Sequence, residues 1–387
     1  MNSGSGLDID AIPLALYVHF PWCERKCPYC DFNSHEQFKP AEQSDYIDAL
    51  LNDLKQQLGS LYQRPLHSIF LGGGTPSLFS GDSIERLLDA IDKRWGVGRD
   101  VEVTMEANPG SAEADRFRSY RNAGVNRLSL GIQSFANRHL KALGRIHDRD
   151  QAIRAIEAAR LNFDRINLDI MHGLSGQTTA DALDDLAMAV DRAEGHISWY
   201  QLTIERNTAF WSKPPSLPGD DCLADIQDAG EAYLRESGFD QYEVSAWARP
   251  GQQSSHNLNY WTFGDYLGIG AGAHGKITRP GGEVIRTQRS RLPKDYIATI
   301  ADNKPPLQQA IPGDQLPVEF MLNALRLRAG VNEQLYRART GLDATGIAGI
   351  RSELVSEGLL SDAPDRLAVT PLGFRFLDDV IARFMSP

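Results

Sequence analysis

No stretch of these 387 residues approaches the ~20 apolar side chains that a membrane-spanning helix needs. Basic charge is also in short supply. Forty lysines and arginines face 51 aspartates and glutamates, a formal net charge of −11. Such a surface is poorly suited to gripping nucleic-acid phosphates, so no nucleic-acid partner is expected. The first residues, MNSGSGLDIDAI, have neither a basic start nor an apolar core. They read as a disordered tail over 1–12 and not as a secretory leader, and the expected compartment is the cytoplasm. Cysteine is rare. Three of the four cysteines crowd into PWCERKCPYC, while Cys222 stands far away. A disulfide framework disperses its cysteines to close loops, so this crowding points to metal or redox chemistry.

The first two-thirds of the chain alternates strand-like and helix-like segments. Short runs rich in Val, Ile, Leu and Tyr predict strands over 13–20, 67–73, 100–108, 127–134, 165–172 and 196–205. Helical spacing of apolar residues predicts helices over 44–61, 81–95, 112–123, 149–161 and 178–193. Six strands separated by five helices imply a parallel α/β sheet with right-handed crossovers, either a barrel or an open doubly wound sheet. From Pro214 the pattern changes to a helix over 224–237, a strand over 241–248, the Gly-rich run GDYLGIGAGAHGK and a strand over 284–289. Residues 303–312, NKPPLQQAIP, read as a linker. Helices over 317–328, 332–340 and 345–357, a β-wing over 367–370 and a helix over 371–384 then suggest a winged-helix-like domain. That tail has eight arginines, no lysine and ten acidic residues. A packing or lid role therefore suits it better than reading a duplex. The expected units are 1–12, a core over 13–240, an extension over 241–302 and the domain 313–387.

Cys23, Cys27 and Cys30 follow the first strand in a C-x3-C-x2-C pattern. A short loop of this kind can aim three thiolates at one iron–sulfur cube and leave one iron without a protein ligand. A zinc site completed by His35, or a redox-active pair, are the alternatives. Several strand candidates end in polar or glycine residues. Gly72–Ser77 (GGGTPS) follows the second, Glu106 the third and Gln133 the fourth, and Asp169 followed by His172 ends the fifth. In a parallel barrel that rim is where a site forms.

The cysteine pattern, with Tyr29 before its last member, resembles the radical S-adenosylmethionine (SAM) superfamily. The resemblance implies a partial (β/α)6 TIM-like barrel, a 4Fe–4S cluster on Cys23, Cys27 and Cys30, and SAM at the open iron. LYVHFPWCERKCPYCDFNSH, FLGGGTPS, TMEANPG, RLSLGIQSF, LGRIH and NLDIMHGL together resemble a narrower group across the whole chain. That group comprises the oxygen-independent coproporphyrinogen III oxidases and the related HemW heme chaperones. By motif it implies SAM contacts from Tyr17, Tyr29, Gly73, Gly74, Thr75, Glu106, Gln133, Arg145 and Asp169. Glu106 and Asp169 suit ribose hydroxyls or an ammonium, and Arg145 suits a carboxylate.

Two features separate the chaperones from the oxidases within this resemblance. The oxidases have a further cysteine one residue after the third, where this chain has Asp31-Phe32. In addition, SSHNLNYW (254–261) matches the chaperones' H-N-x-x-Y-W motif. It implies heme at His256, with Tyr260 and Trp261 as flat apolar surface. The expected function is therefore heme binding and transfer to an acceptor protein, which can be a membrane-associated one. The alternative is oxidative decarboxylation of coproporphyrinogen III, and which of the two applies decides whether the chain is an enzyme.

Overall fold

The computed structural model describes residues 7–59, 63–98, 100–110 and 116–385. Six parallel strands form its centre: β1 (Leu14–Phe20), β2 (Leu66–Gly73), β3 (Glu102–Ala107), β4 (Arg127–Gln133), β5 (Ile166–His172) and β6 (His196–Gln201). They neighbour one another in chain order. A doubly wound sheet would reverse that order partway, so the chain is wound in one direction, as a partial barrel is.

Local signals account for the helices between the strands. Gly81–Trp95 starts at Ser80, whose side chain accepts the Ser83 N–H, and ends at left-handed Gly96. It buries Ile84, Leu87, Leu88 and Ile91, one face at helical spacing, against the sheet. Arg149–Arg160 and Thr179–Arg192 each begin with a capping box, Asp148 with Gln151 and Thr178 with Asp181.

Side chains on the strands alternate between two environments. Val103 and Met105 of β3 join the apolar core under the helices, while Glu102, Thr104 and Glu106 turn inward. A TIM barrel fills its interior with branched aliphatic residues. Here Ser68, Thr104, Ser129 and Asn167 are buried instead, and the lumen is a polar network.

The barrel stays open. β9 (Asp265–Ile269) pairs in parallel with the free edge of β1, and β8 (Ala246–Ala248) pairs antiparallel with β6. With β7 (Asp240–Glu243), β10 (His274–Thr278), β11 (Val284–Gln288) and β12 (Leu307–Ala310), the sheet reaches twelve strands. Several expectations need correction here. The strand expected over 241–248 is a hairpin, β7 and β8, that caps the β6 edge. The Gly-rich run, for which the sequence pattern predicts no element, holds strands β9 and β10, which cross so closely that any side chain at Gly268 would overlap the His274 carbonyl. The linker expected over 303–312 contains edge strand β12, paired with β11. The last helix breaks at Phe376 into Pro371–Arg375 and Leu377–Ala382. Residues 1–6 of the expected tail lie outside the described residues, whereas Ile9–Ala11 form a 3-10 turn and Ile12 is buried. Parts of the helices expected over 44–61 and 112–123 also lie outside them; Gln43–Leu58 and Phe117–Asn122 are helical.

The C-terminal domain has its own core, which includes Phe320, Met321, Tyr336, Leu354 and Val380 and which Phe263 joins through Phe320. Its helices Leu316–Ala324, Glu333–Thr340 and Ala348–Ser356 accompany a small sheet of β13 (Val331–Asn332) and β14 (Arg366–Leu367). Arg326 pairs with Glu243 at 3.2 Å, and Arg339 donates to the carbonyls of Ala11 and Thr262, fastening this domain to the barrel.

Candidate functional site

The three-cysteine loop is stapled to its neighbours by backbone hydrogen bonds. The Cys23 N–H donates to the His35 carbonyl and the His35 N–H to that of Pro21. Gly74 and Thr75 donate their N–H groups to Phe20 and Trp22, both at 2.7 Å. A side chain at Gly73 would stand 2.5 Å from the His19 ring, and one at Gly74 would overlap the Trp22 carbonyl. The glycines therefore let the strap after β2 press against the cysteine loop, and the Gly74 N–H is spent on holding it.

The cysteines are free. Thr75 Oγ1 donates to Cys23 Sγ and Arg145 Nη1 to Cys27 Sγ, each at 3.5 Å. Between these two donors stands Asn108. It donates to Thr75 Oγ1 at 2.8 Å and accepts from Arg145 Nη2 at 2.7 Å, while Arg145 also reaches the Gly131 carbonyl. One chain of side chains thus ties two of the three sulfurs together. Among the described residues no three His, Cys, Asp or Glu side chains converge on a single ion, and the His35 ring is turned to the Arg291 carbonyl. A cube, whose corners take ligands separately, fits three free sulfurs under hydrogen-bond donors.

Beyond the loop the rim residues converge. Glu106 accepts the Gly73 N–H at 3.0 Å. Burial and the nearby Asp169 push its carboxyl up to about 8. Asp169 accepts from Ser129 at 3.1 Å and Asn167 at 2.7 Å, and burial raises it too. Tyr29 is half-buried beside Arg145 and Cys27. Gln133 accepts from Tyr200 at 2.8 Å and takes a left-handed backbone, φ 68°. Such a conformation in a buried non-glycine residue is strained, and strain of this kind collects at functional sites. His19 Nε2 lies 2.8 Å from the Asn33 carbonyl, so it carries the proton, and Nδ1 accepts from Tyr17 at 2.9 Å. Burial pushes that imidazole down to about 4 and keeps it neutral. A cavity of about 400 Å³ opens here, with Tyr17, His19, Glu106 and Tyr260 among its walls.

His256 lies elsewhere. The segment 254–261 is a helix, Ser255–Trp261, that plugs the opposite end of the barrel. Glu102 accepts the Ser255 and His256 N–H groups at 3.1 Å and pairs with Arg165 at 2.9 Å. The His256 ring is 3 % exposed, bonded through Nδ1 to Ser68 and stacked on Phe70 at 4.7 Å. Its Nε2 has no partner among the described residues, and burial pushes the ring down to about 3. Tyr260 faces the barrel, whereas Trp261 packs on the C-terminal domain under Arg326. The flat surface expected from those two residues is therefore split between two cores.

Sequence reasoning passed over Asn108, Tyr200 and the lumen set Ser68, Ser129 and Asn167. A readable signal existed, because His196, Ser198 and Tyr200 recur with period two in a buried strand.

Comparisons with known proteins complete the site. Residues 17–189 match the radical SAM superfamily, and residues 311–376 match the HemN C-terminal domain. The heme chaperone HemW of Escherichia coli K12 is 46 % identical over 375 residues, covering 97 % of this chain and 98 % of that protein. The heme chaperone HemW of Haemophilus influenzae is 45 % identical, covering 97 % and 98 %. In structure the chain is similar to the coproporphyrinogen III oxidase HemN of Escherichia coli, at a TM-score of 0.83 and 22 % identity, covering 97 % and 91 %. That second likeness concerns the fold alone.

Proposed function

The chain belongs to the HemW family of the radical SAM superfamily, and on that premise we propose that it binds heme and passes it to an acceptor protein. The observation that carries this reading is the end-to-end likeness to curated heme chaperones at 46 % identity. The oxidase alternative has less support: the oxidase shares the fold at 22 % identity, and Asp31-Phe32 stand where the oxidases have their extra cysteine. The cytoplasm as compartment and a membrane-associated acceptor belong to the same proposal.

Cys23, Cys27 and Cys30 would hold a 4Fe–4S cluster, which supplies one electron and an open iron when bound. Tyr17, Tyr29, Gly73, Gly74, Thr75, Gln133 and Asp169 would line the SAM site beside it. Arg145, held by Asn108 and the Gly131 carbonyl, would take a carboxylate. Glu106 would give up its proton to face an ammonium or sulfonium. His256 would act as a heme ligand only after the plug helix moves, because Phe70 and Tyr17 cover its ring.

The test is an anaerobic hemin titration of cluster-reconstituted protein followed at the Soret band, then transfer to a heme-free acceptor. Saturation near one heme per chain supports the reading. No saturable binding, together with turnover of coproporphyrinogen III, overturns it in favour of the oxidase.

A further inference from the structure

A second cavity, of about 790 Å³, lies between the outer face of β5 and β6, helix Asp220–Glu236 and the C-terminal domain. Its volume is within the ~300–1,000 Å³ typical of small-molecule sites. Nothing in the cluster or SAM chemistry uses it.

Its inner wall is His172, the last residue of β5, against Trp199 of β6. Both are 2 % exposed, with ring centroids 4.2 Å apart. Neither His172 Nδ1 nor Trp199 Nε1 has a hydrogen-bond partner among the described residues. The wall is rigid, since helix Asp220–Glu236 presses Gly230 onto the indole so closely that a side chain there would overlap it. The facing wall, from the C-terminal domain, carries Phe374 with the Arg328 guanidinium 4.1 Å over its ring. Arg235 and Arg375 also border the cavity but are paired with Glu231 and Asp228. Arg328 is in no ion pair among the described residues.

An imidazole, a partly exposed phenylalanine and a guanidinium in no ion pair among the described residues are groups that an iron porphyrin with carboxylate arms can use. Resting on the heme-carrier reading, we propose that heme docks in this cavity, with His172 Nε2 as axial ligand and Arg328 on a propionate. Nδ1 is sealed inside the protein without a partner, whereas Nε2 is not among the sealed nitrogens, and His172 lines the cavity. Burial pushes the ring down to about 4, and the imidazole is neutral with a lone pair to give. An Nδ1–H without an acceptor makes a weak metal ligand, because a hydrogen-bonded partner is what raises imidazole basicity. Weak ligation suits a carrier that must release its cargo. His256, by contrast, borders neither this cavity nor the one beside the cysteine loop.

The experiment is the hemin titration of the full cluster-loaded chain, wild type beside His172→Ala, His172→Met, Arg328→Gln and His256→Ala. Cluster absorbance and far-UV circular dichroism serve as checks of folding. His172→Ala is expected to weaken binding about tenfold or more. His172→Met, which keeps a ligand, is expected to retain binding with a changed Soret and spin-state signature. Arg328→Gln should cost about tenfold, and His256→Ala should cost less than His172→Ala. Binding lost in His256→Ala but unchanged in both His172 variants overturns this assignment while the carrier reading stands. Wild-type protein with no saturable hemin site overturns the carrier reading, and the dock with it.

Discussion

Glu106 carries a titration that can be followed directly. Its carboxyl sits at about 8 against an ordinary 4.5, through burial and then Asp169. Between those values the folded chain keeps a proton that the unfolded chain has lost. This group's contribution to stability therefore falls as pH rises across that window and is level above it. Binding a cation beside Glu106 should expel the proton, so SAM affinity should rise with pH up to about 8. Calorimetry in buffers of different ionisation enthalpy should record proton release near neutrality, and Glu106→Gln should abolish both effects. Asn108 makes a second residue-scale case. Asn108→Ala removes the bridge between Arg145 and Thr75, at a cost of about 1–3 kcal/mol for the buried groups left unpaired. Hydrogen bonds to cluster sulfurs favour the more negative, reduced state. Loosening them should lower the cluster's reduction potential, to be read by spectroelectrochemistry with EPR.

At the scale of elements, the helix Ser255–Trp261 shows how a motif can be legible while its setting is not. Ser254 caps it, Glu102 anchors its first N–H groups, and Leu258 and Trp261 reach into the second core. Glu102 is held below the usual carboxylate range; burial opposes ionisation, and Arg127 and Arg165 overcome it. Replacing it with Ala leaves Arg165 and the helix start without a partner, and should cost about 3–5 kcal/mol in a denaturant titration. Because the folded carboxyl is depressed, its stabilisation is present at neutral pH and is lost as pH falls through the folded value. The cysteine loop, the strap after β2 and the rim residues were readable because each lies in a short contiguous motif. The β9–β10 pair was not. Its glycines interrupt the apolar alternation that marks a strand, and Gly268 is a glycine because the two strands cross too closely there for a side chain.

In the whole molecule, the barrel and the C-terminal domain share a core through Phe263, which meets Phe320 at a ring distance of 5.6 Å. Phe320→Ala should cost about 3–5 kcal/mol. Tryptophan fluorescence and far-UV dichroism should then follow one coincident transition at a lower denaturant midpoint, because the two parts unfold together. Separate transitions would show that the shared core does not couple them. No helix among the described residues is long and apolar enough to cross a membrane.

The amino-acid order alone determined the alternating strands and helices, the three clustered sulfurs and the two carboxylates carried on the strands. Periodicity, capping and loop spacing act over a few residues and so are written along the chain. The tertiary structure decided what depends on residues brought together from far apart. It showed that Asn108 joins two sulfurs, that His256 is sealed in the barrel floor by Ser68, Phe70 and Glu102, and that His172 faces a cavity walled by a second domain. Burial sets whether an imidazole is reachable and where it titrates, and burial is a property of packing between distant segments.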